Sequence, residues 1–531
     1  MPTATCTRAA LWIILSNLLL VGAAMGQSVN HWPMTVAATA PEHQVHHSTR
    51  PSLRDREFQT ITDMATAVAP EFGADILIRL SESSNVTDRS TKIRLLKKAF
   101  YLAPAAEQPV KRTTNGFSPD TRSGYLALAF RLQNLDRLSL QSRVVSDMLR
   151  LDAGHARELL GEIQLPALTP LDCQEPLTYD VAAFYETVGL IARDGLTAKD
   201  KREGQKLVLL VPYVSLLQSH TQIRPATQLL LSAELSPTDL GQLTNMFAYA
   251  LSQLHGDERS FAVTNKHTDE YSAPGAIASL IAALDARGIP SIALLRAFRG
   301  YLVSNFGEER CGETVSRSAD KDSLPEAVRF FNQQLRSALQ NAQITPISAE
   351  ELKSARIGPK LADTNFWESP EAKQLSIAVK GLRFGYGETQ LTAQKKATSA
   401  WSSQLTDFLT ELGAWKSENE PAEVDFFCEK SALYSLLIEE IPNGWERSNA
   451  IADFVEFLEQ NAVQPINRLE WILPAERLLS GAMAADDREE VIQAFLNSRD
   501  PALSLYARLE RWEPRNTGPG SKPNAMAVKA K

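Results

Sequence analysis

The stretch Ser219–Gly256 constrains the fold most, because it repeats the apolar period of an α-helix twice. Each half places apolar side chains three or four positions apart, on one face of a helix. Ser236-Pro237 separates the halves, since a serine oxygen caps free N–H groups and proline suits the first helical position. We therefore predict an antiparallel helix pair that ends at Gly256. The period is carried by Ile223, Ala226, Leu229 and Leu230, and then by Leu240, Leu243, Phe247, Leu251 and Leu254.

Such a pair leaves one apolar flank open to water. The large side chains of its second helix contribute roughly 1.5–3 kcal/mol each, but only when another element covers them. Helical periods of this kind recur along most of the chain. We therefore predict an all-α fold, a right-handed α-solenoid or stacked helical hairpins, in which neighbouring pairs cover each other. One continuous stack and two helical bodies both fit this pattern.

The domain boundaries follow from where the apolar period starts and stops. The linker is poor in large apolar residues and rich in proline, and the tail has no apolar period. We predict a signal peptide at 1–26, a flexible linker at 27–56, an N-terminal helical-repeat region at 57–306, a polar loop and hinge region at 307–367, a C-terminal helical region at 368–512 and a disordered tail at 513–531.

Three local features need a choice between alternatives. The apolar run at 206–217 suits a buried strand or a helix bent at Pro212, and its helical surroundings favour the helix. Gly385-Tyr386-Gly387 is expected to end a helix near residue 384. The last helix is expected to continue from Arg488 to about Trp512.

The first 26 residues have the pattern of a cleaved secretory signal peptide. Arg8 precedes the apolar run AALWIILSNLLLVGAA, and Ala24-Met25-Gly26 offers small residues for cleavage. An uncleaved anchor is the alternative, although the run is short for a bilayer span. We therefore predict a secreted or periplasmic protein with no integral membrane segment after cleavage.

The composition suits a folded soluble protein and argues against some functions. Of 531 residues, 44% are hydrophobic and 22% charged, with a formal net charge of −8. This mild acidity argues against nucleic-acid binding, for which a basic surface is expected. An aromatic content of 7% gives little support to clefts that stack sugars or bases.

Three cysteines follow the predicted signal peptide. An odd number in an oxidising compartment suggests one disulfide and one buried thiol. Cys173 and Cys311 lie in polar turn regions, whereas Cys428 lies in an apolar helical run. We predict a Cys173–Cys311 disulfide, with three unpaired thiols as the alternative.

Two stretches resemble the hairpins of tetratricopeptide-like solenoids and other secreted helical-repeat proteins. They are LQSRVVSDMLRLDAGHARELLGEI at Leu140–Ile163 and the pair at Ser219–Gly256. The resemblance covers about half of the chain and implies a stacked helical architecture. The tryptophan, glycine and tyrosine signature of that repeat is missing, so no functional residue can be carried over.

The sequence contains no familiar catalytic or metal-binding motif, and we predict no cofactor and no metal site. HExxH, paired CxxC, GxxxxGK, GxSxG and calcium-loop patterns are absent. Ser318 and Lys321 match SxxK, but nothing apolar surrounds the lysine to lower its pKa, so coincidence is the better interpretation. His43, His46 and His47 lie in the linker, where a histidine cluster is usually incidental.

A basic cluster is the candidate binding feature. On a helix, part of it would lie opposite the apolar side and attract a polyanion, although such runs are more often simply solvated. The cluster consists of Arg89, Lys92, Arg94, Lys97, Lys98, Lys111 and Arg112.

These observations predict an exported, non-enzymatic helical scaffold that binds protein or peptide. The alternative is an exported enzyme that acts on polysaccharide or peptidoglycan through a site assembled from distant helices. Glu82-Ser83 and Glu368-Ser369 match a dipeptide of the helical murein transglycosylases, but nothing of their catalytic domain surrounds either one. A pocket where His, Tyr, Arg and Glu converge would favour the enzyme, and an open groove would favour the scaffold. The oligomeric state does not follow from the sequence.

Overall fold

A computed structural model shows a chain built almost wholly of α-helices. It describes residues 52–113, 134–164, 167–306, 311, 324–337, 344–352, 370–390, 399–416, 423–441, 445–461, 479 and 485–513. Within these ranges there are 20 α-helices and one antiparallel pair of two-residue strands. The predicted all-α class is confirmed, and the solenoid arrangement stays a prediction.

The helices of the first part of the chain run through residue 306. They are α1 Leu53–Met64, α2 Pro70–Glu82, α3 Arg89–Leu102, α4 Arg137–Leu151, α5 Ala153–Glu162, α6 Ala182–Leu190, α7 Ala198–Arg202, α8 Gln205–Ser215, α9 Ile223–Ser232, α10 Pro237–Ser252, α11 Glu258–Thr264, α12 Ala273–Ala286 and α13 Ile292–Phe306. The strands are β1 Arg112–Thr113 and β2 Thr178–Tyr179.

The second part is described in separate segments. Its helices are α14 Glu326–Ser337, α15 Pro370–Gln390, α16 Ser399–Ala414, α17 Glu423–Glu440, α18 Trp445–Asn461, α19 Ala485–Leu496 and α20 Pro501–Trp512.

The predicted helix pair is present as α9 and α10. Every apolar residue that predicted it is buried, including Leu251 with no exposed surface. The Ser236 hydroxyl accepts a hydrogen bond from the backbone N–H of Asp239, as expected of a helix cap. Gly256 has the left-handed φ of 75° that was predicted, although α10 ends before it at Ser252. The pair is covered because α10 packs against α8 and α13, and α9 against α6 and α12.

The first described helix, α1, begins at Leu53, four residues before the predicted start of the helical region at 57. Ser52 and Asp55 form a capping box that the sequence analysis overlooked. The Ser52 hydroxyl accepts from the Asp55 N–H at 3.1 Å, and the Asp55 carboxylate accepts from the Ser52 N–H at 3.0 Å. This reciprocal cap satisfies backbone donors that would otherwise be free.

Three other local predictions meet mixed outcomes. The run at 206–217 is largely helical, with Pro212 inside α8. Helix α15 continues through Gly385-Tyr386-Gly387 to Gln390, so the predicted end near 384 is wrong. The predicted continuous last helix is also wrong, because it is divided into α19 and α20. The Asp500 carboxylate caps the new start by accepting from the N–H groups of Ala502 and Leu503.

The last helix packs against the first two, which the sequence did not predict. The Phe58 and Trp512 rings lie 5.9 Å apart, and the Tyr506 hydroxyl donates to the Asp75 carboxylate at 2.9 Å. Arg143, on α4, donates to the other oxygen of Asp75 at 2.6 Å. Helix α20 therefore covers an apolar and charged surface of α1 and α2 that would otherwise face water.

Several predicted features lie outside the described residues. They are the signal peptide, most of the linker, the histidines at 43, 46 and 47, Ser318 and Lys321, Glu368-Ser369, the Cys428 side chain and the tail beyond residue 513.

Candidate functional site

A small polar cleft lies where the strand pair meets the starts of α6, α9 and α12. Its volume is about 80 Å³. We call it the Arg224 cleft and define it by Thr178, Asp180, His220, Arg224, Thr264 and Tyr271.

The strand pair positions one wall of the cleft. Thr113 pairs with Thr178, whose hydroxyl donates to the Thr113 carbonyl oxygen at 3.0 Å. The N–H of Asp180 donates to the Lys111 carbonyl oxygen at 2.8 Å. These bonds hold the Asp180 carboxylate at the end of the ladder, beside the first turn of α6.

Asp257 joins the segments behind the cleft. Its carboxylate accepts from the Ser219 hydroxyl at 2.6 Å, the Leu171 N–H at 2.9 Å and the Ser260 N–H at 3.2 Å. Its φ of 53° is rare for a residue other than glycine, but the surrounding bonds hold the backbone there. One buried carboxylate thus links the turn before α9 to the start of α11.

His220 is buried and both of its ring nitrogens are engaged. Nε2 lies 2.6 Å from the Gly256 carbonyl oxygen, which can only accept, so Nε2 carries the proton. Nδ1 then accepts from the Tyr301 hydroxyl at 2.9 Å. Asn265 Nδ2 donates to the same hydroxyl oxygen at 2.8 Å. Both ring nitrogens therefore form hydrogen bonds within the protein, and neither is free to act as a general base.

Arg224 is the half-buried cation of the cleft. Its guanidinium carbon lies 5.0 Å from the centre of the Tyr271 ring, within the range of a cation–π contact. With the oxygen of the Gln228 amide facing it, Arg224 donates from Nε at 3.3 Å and from Nη2 at 3.2 Å. Among the described residues, no carboxylate forms an ion pair with Arg224. The guanidinium is thus fixed in orientation but keeps unused N–H groups.

The other charges near the cleft are largely balanced. Lys111 is 9% exposed, and its Nζ lies 3.3 Å from Asp180 Oδ2 and 3.0 Å from Asn134 Oδ1. Burial raises the pKa of the nearby Asp136 carboxyl to about 6, against the opposing effects of its bonds to Ser139 and of the Lys111 charge. Burial and the Asp180 charge raise the pKa of the Glu186 carboxyl, whereas the charges of Arg224 and Lys111 act to lower it.

The structure separates the predicted basic cluster into two parts. Five of the seven residues lie on α3, where Arg94 and Lys98 are exposed and Arg89 donates to the Leu151 carbonyl oxygen. The other two flank the strand pair in ion pairs: Lys111 with Asp180, and Arg112 with Glu175 at 2.9 Å. Polyanion binding stays a prediction, and α3 is the only described element that groups several of these residues.

Cys173 and Cys311, the two cysteines whose pairing the sequence predicts, are joined by a disulfide with an S–S distance of 2.04 Å. The bond packs against Ala262 on α11, the helix that also supplies Thr264 to the cleft. It therefore supports the wall of the cleft from behind.

A pair of carboxyl groups lies away from the cleft, between the end of α2 and α4. Burial raises the pKa of the Asp147 carboxyl to about 7, and the negative charge of the neighbouring Glu82 acts in the same direction. Arg150, at 3.2 Å, and Arg143 act in the opposite direction. The Asp147 carboxyl is therefore partly protonated near neutral pH, because burial and the Glu82 charge both disfavour its ionised form.

Sequence reasoning missed both the Arg224 cleft and the carboxyl pair. Arg224 and Tyr271 are 47 residues apart, and Glu82 and Asp147 are 65 apart. No motif links residues at such separations, and only the packing of helices brings them together.

Comparison with protein-family models, curated proteins and solved structures finds no match to this chain. Within the described residues, no three His, Cys, Asp or Glu side chains are grouped so that they could hold a metal ion. None of the helices in these residues combines the length and apolar character needed to cross a membrane.

Proposed function

We propose that this protein is an exported, non-enzymatic helical scaffold that binds a protein or peptide segment at the Arg224 cleft. The observation that carries the proposal is the state of the polar groups in the cleft. His220 is engaged at both nitrogens, whereas Arg224 and Tyr271 offer donors that no described residue uses. Such a site is equipped to hold a polar group and lacks a free imidazole for proton transfer.

Two observations support export. The N-terminal 26 residues have the pattern of a secretory signal. The Cys173–Cys311 disulfide suits an oxidising compartment, because such bonds are rare where thiols are kept reduced.

A direct binding assay tests the proposed activity. The purified full-length chain would be titrated into dansyl-labelled random octapeptides, with fluorescence anisotropy as the readout. We expect saturable binding that unlabelled peptide reverses and that Arg224→Gln weakens. Equal binding by the wild type and by Arg224→Gln would refute the assignment of binding to this cleft.

Cell fractionation and N-terminal sequencing test the location. We expect the mature protein in the envelope or the medium, with a new N-terminus near residue 27. Recovery of the full-length chain from the cytosol would refute export.

One observation favours the enzyme alternative. Asp147, with a pKa of about 7, can give and accept a proton at neutral pH, as acid–base catalysis requires. Release of reducing ends from murein or polysaccharide by the wild type, but not by Asp147→Asn, would establish this alternative.

A further inference from the structure

We infer that the group held by the Arg224 cleft is a carboxylate, either the C-terminus of a peptide or an acidic side chain. This inference rests on the proposed peptide binding and names the chemistry that the site recognises. It follows from which hydrogen-bonding groups of the cleft are already used and which are left.

The unused groups are donors. A guanidinium has five N–H groups, and Gln228 takes one from Nε and one from Nη2. No described residue takes the remaining three, both on Nη1 and one on Nη2. The Tyr271 side chain is half exposed, and its hydroxyl likewise has no hydrogen-bond partner among the described residues. A ligand group that only accepts hydrogen bonds matches this surplus.

The carboxylate and imidazole acceptors of the cleft already interact with other groups of the protein. Asp180 Oδ1 accepts from the Ala182 N–H at 3.0 Å, and Oδ2 faces the Lys111 ammonium at 3.3 Å. His220 Nδ1 accepts from Tyr301. A cationic ligand would therefore compete with Lys111 for Asp180, whereas a carboxylate would not.

The orientation of the guanidinium strengthens the argument. The guanidinium carbon lies 5.0 Å from the centre of the Tyr271 ring, and Gln228 takes the edge formed by Nε and Nη2. The edge formed by Nη1 and Nη2 remains open, with two parallel N–H groups at the spacing of two carboxylate oxygens. Because the plane is already fixed, a carboxylate binds without the ordering of a mobile arginine.

The test uses the full-length protein and three pools of dansyl-labelled octapeptides. The first pool has free C-termini and no Asp or Glu, the second has amidated C-termini and one Glu, and the third has amidated C-termini and no acidic residue. The variants are Arg224→Gln, which removes the charge, and Arg224→Lys, which keeps the charge but loses the paired N–H groups. Arg287→Gln is the matched control, since Arg287 is exposed at the far end of α12, about 20 Å along that helix from Ala273.

We expect the first or the second pool to bind at least tenfold more tightly than the third, and whichever binds identifies the source of the carboxylate. Arg224→Gln should weaken that binding by about tenfold to a hundredfold, as for the loss of charged hydrogen bonds. Arg224→Lys should bind with an affinity between those of the wild type and Arg224→Gln. Arg287→Gln should bind as tightly as the wild type. Circular dichroism would verify that each variant is folded.

Three results would overturn the inference. Equal binding of all three pools would show that the cleft does not select a carboxylate, while leaving the proposed peptide binding intact. Displacement of the labelled peptide by inorganic phosphate more strongly than by acetate would assign the site to phosphate instead. Binding of none of the pools would overturn the proposed function itself.

Discussion

Replacing Asp147 with asparagine should flatten the pH dependence of stability around α2 and α4. In the wild type the Asp147 carboxyl is 13% exposed, and burial together with the Glu82 charge raises its pKa. The amide of Asp147→Asn is neutral at every pH and can still donate to the Glu82 carboxylate. The substitution therefore removes the titration and keeps a hydrogen bond.

The magnitude follows from the pKa. Burial and Glu82 raise the pKa of Asp147 from 3.8 to about 7, so the folded state holds the proton more tightly than the unfolded chain. This contribution to stability is fully present below the unfolded pKa and is lost as the pH rises through the folded pKa. A shift of roughly three units corresponds to at most about 4 kcal/mol. We therefore expect the wild type to lose about 2–4 kcal/mol of stability, relative to Asp147→Asn, between pH 4 and pH 8.

Hydrogen exchange measured at several pH values, with urea unfolding as a global check, provides the assay. The opening free energy of α4 amides reports the local effect after correction for the intrinsic exchange rate. Asp407→Asn is the matched control, because Asp407 is an exposed aspartate on the distant helix α16. If Asp147→Asn keeps the wild-type pH dependence, that dependence does not come from the raised pKa of Asp147 and the reasoning fails.

Three further predictions concern the core, the disulfide and the contact between α2 and α20. Leu251→Asp should prevent folding, because it buries an unpaired charge, and a native circular dichroism spectrum would contradict this. Changing Cys173 and Cys311 to serine should lower the free energy of unfolding in urea by at most about 4–5 kcal/mol, because the bond closes a loop across a separation of 138 residues. Dithiothreitol should have no further effect on that variant. Tyr506→Phe should cost about 1–2 kcal/mol by removing the bond to Asp75, and unchanged hydrogen exchange in α20 would refute that bond's role.

The outcomes at individual elements show where sequence reasoning succeeded. The pair α9–α10 was predictable because a period of three and four residues and a Ser-Pro start both follow from local geometry. The end of α15 was not, because Gly385-Tyr386-Gly387 weakens a helix without stopping it. The helix propensity of glycine is a preference of about 1 kcal/mol, which other interactions can override.

The candidate site shows the opposite balance. The sequence drew attention to a cluster of basic residues because they are adjacent, but Lys111 and Arg112 prove to be engaged in ion pairs. The cation of the cleft is Arg224, which stands alone in the sequence beside Pro225. Its importance depends on Tyr271 and Gln228 around it, and on the absence of a carboxylate partner among the described residues.

By itself, the sequence determined that this protein is helical, where α10 begins, and which side of α9 and α10 is apolar. These properties depend on residues within a few turns of one another, so local spacing is sufficient to reveal them. Only the tertiary structure decided that α20 packs on α1 and α2, that the Glu82 charge acts on Asp147, and that Arg224 meets Tyr271. Those contacts join residues far apart in the chain, and they form because packed helices bring specific side chains together.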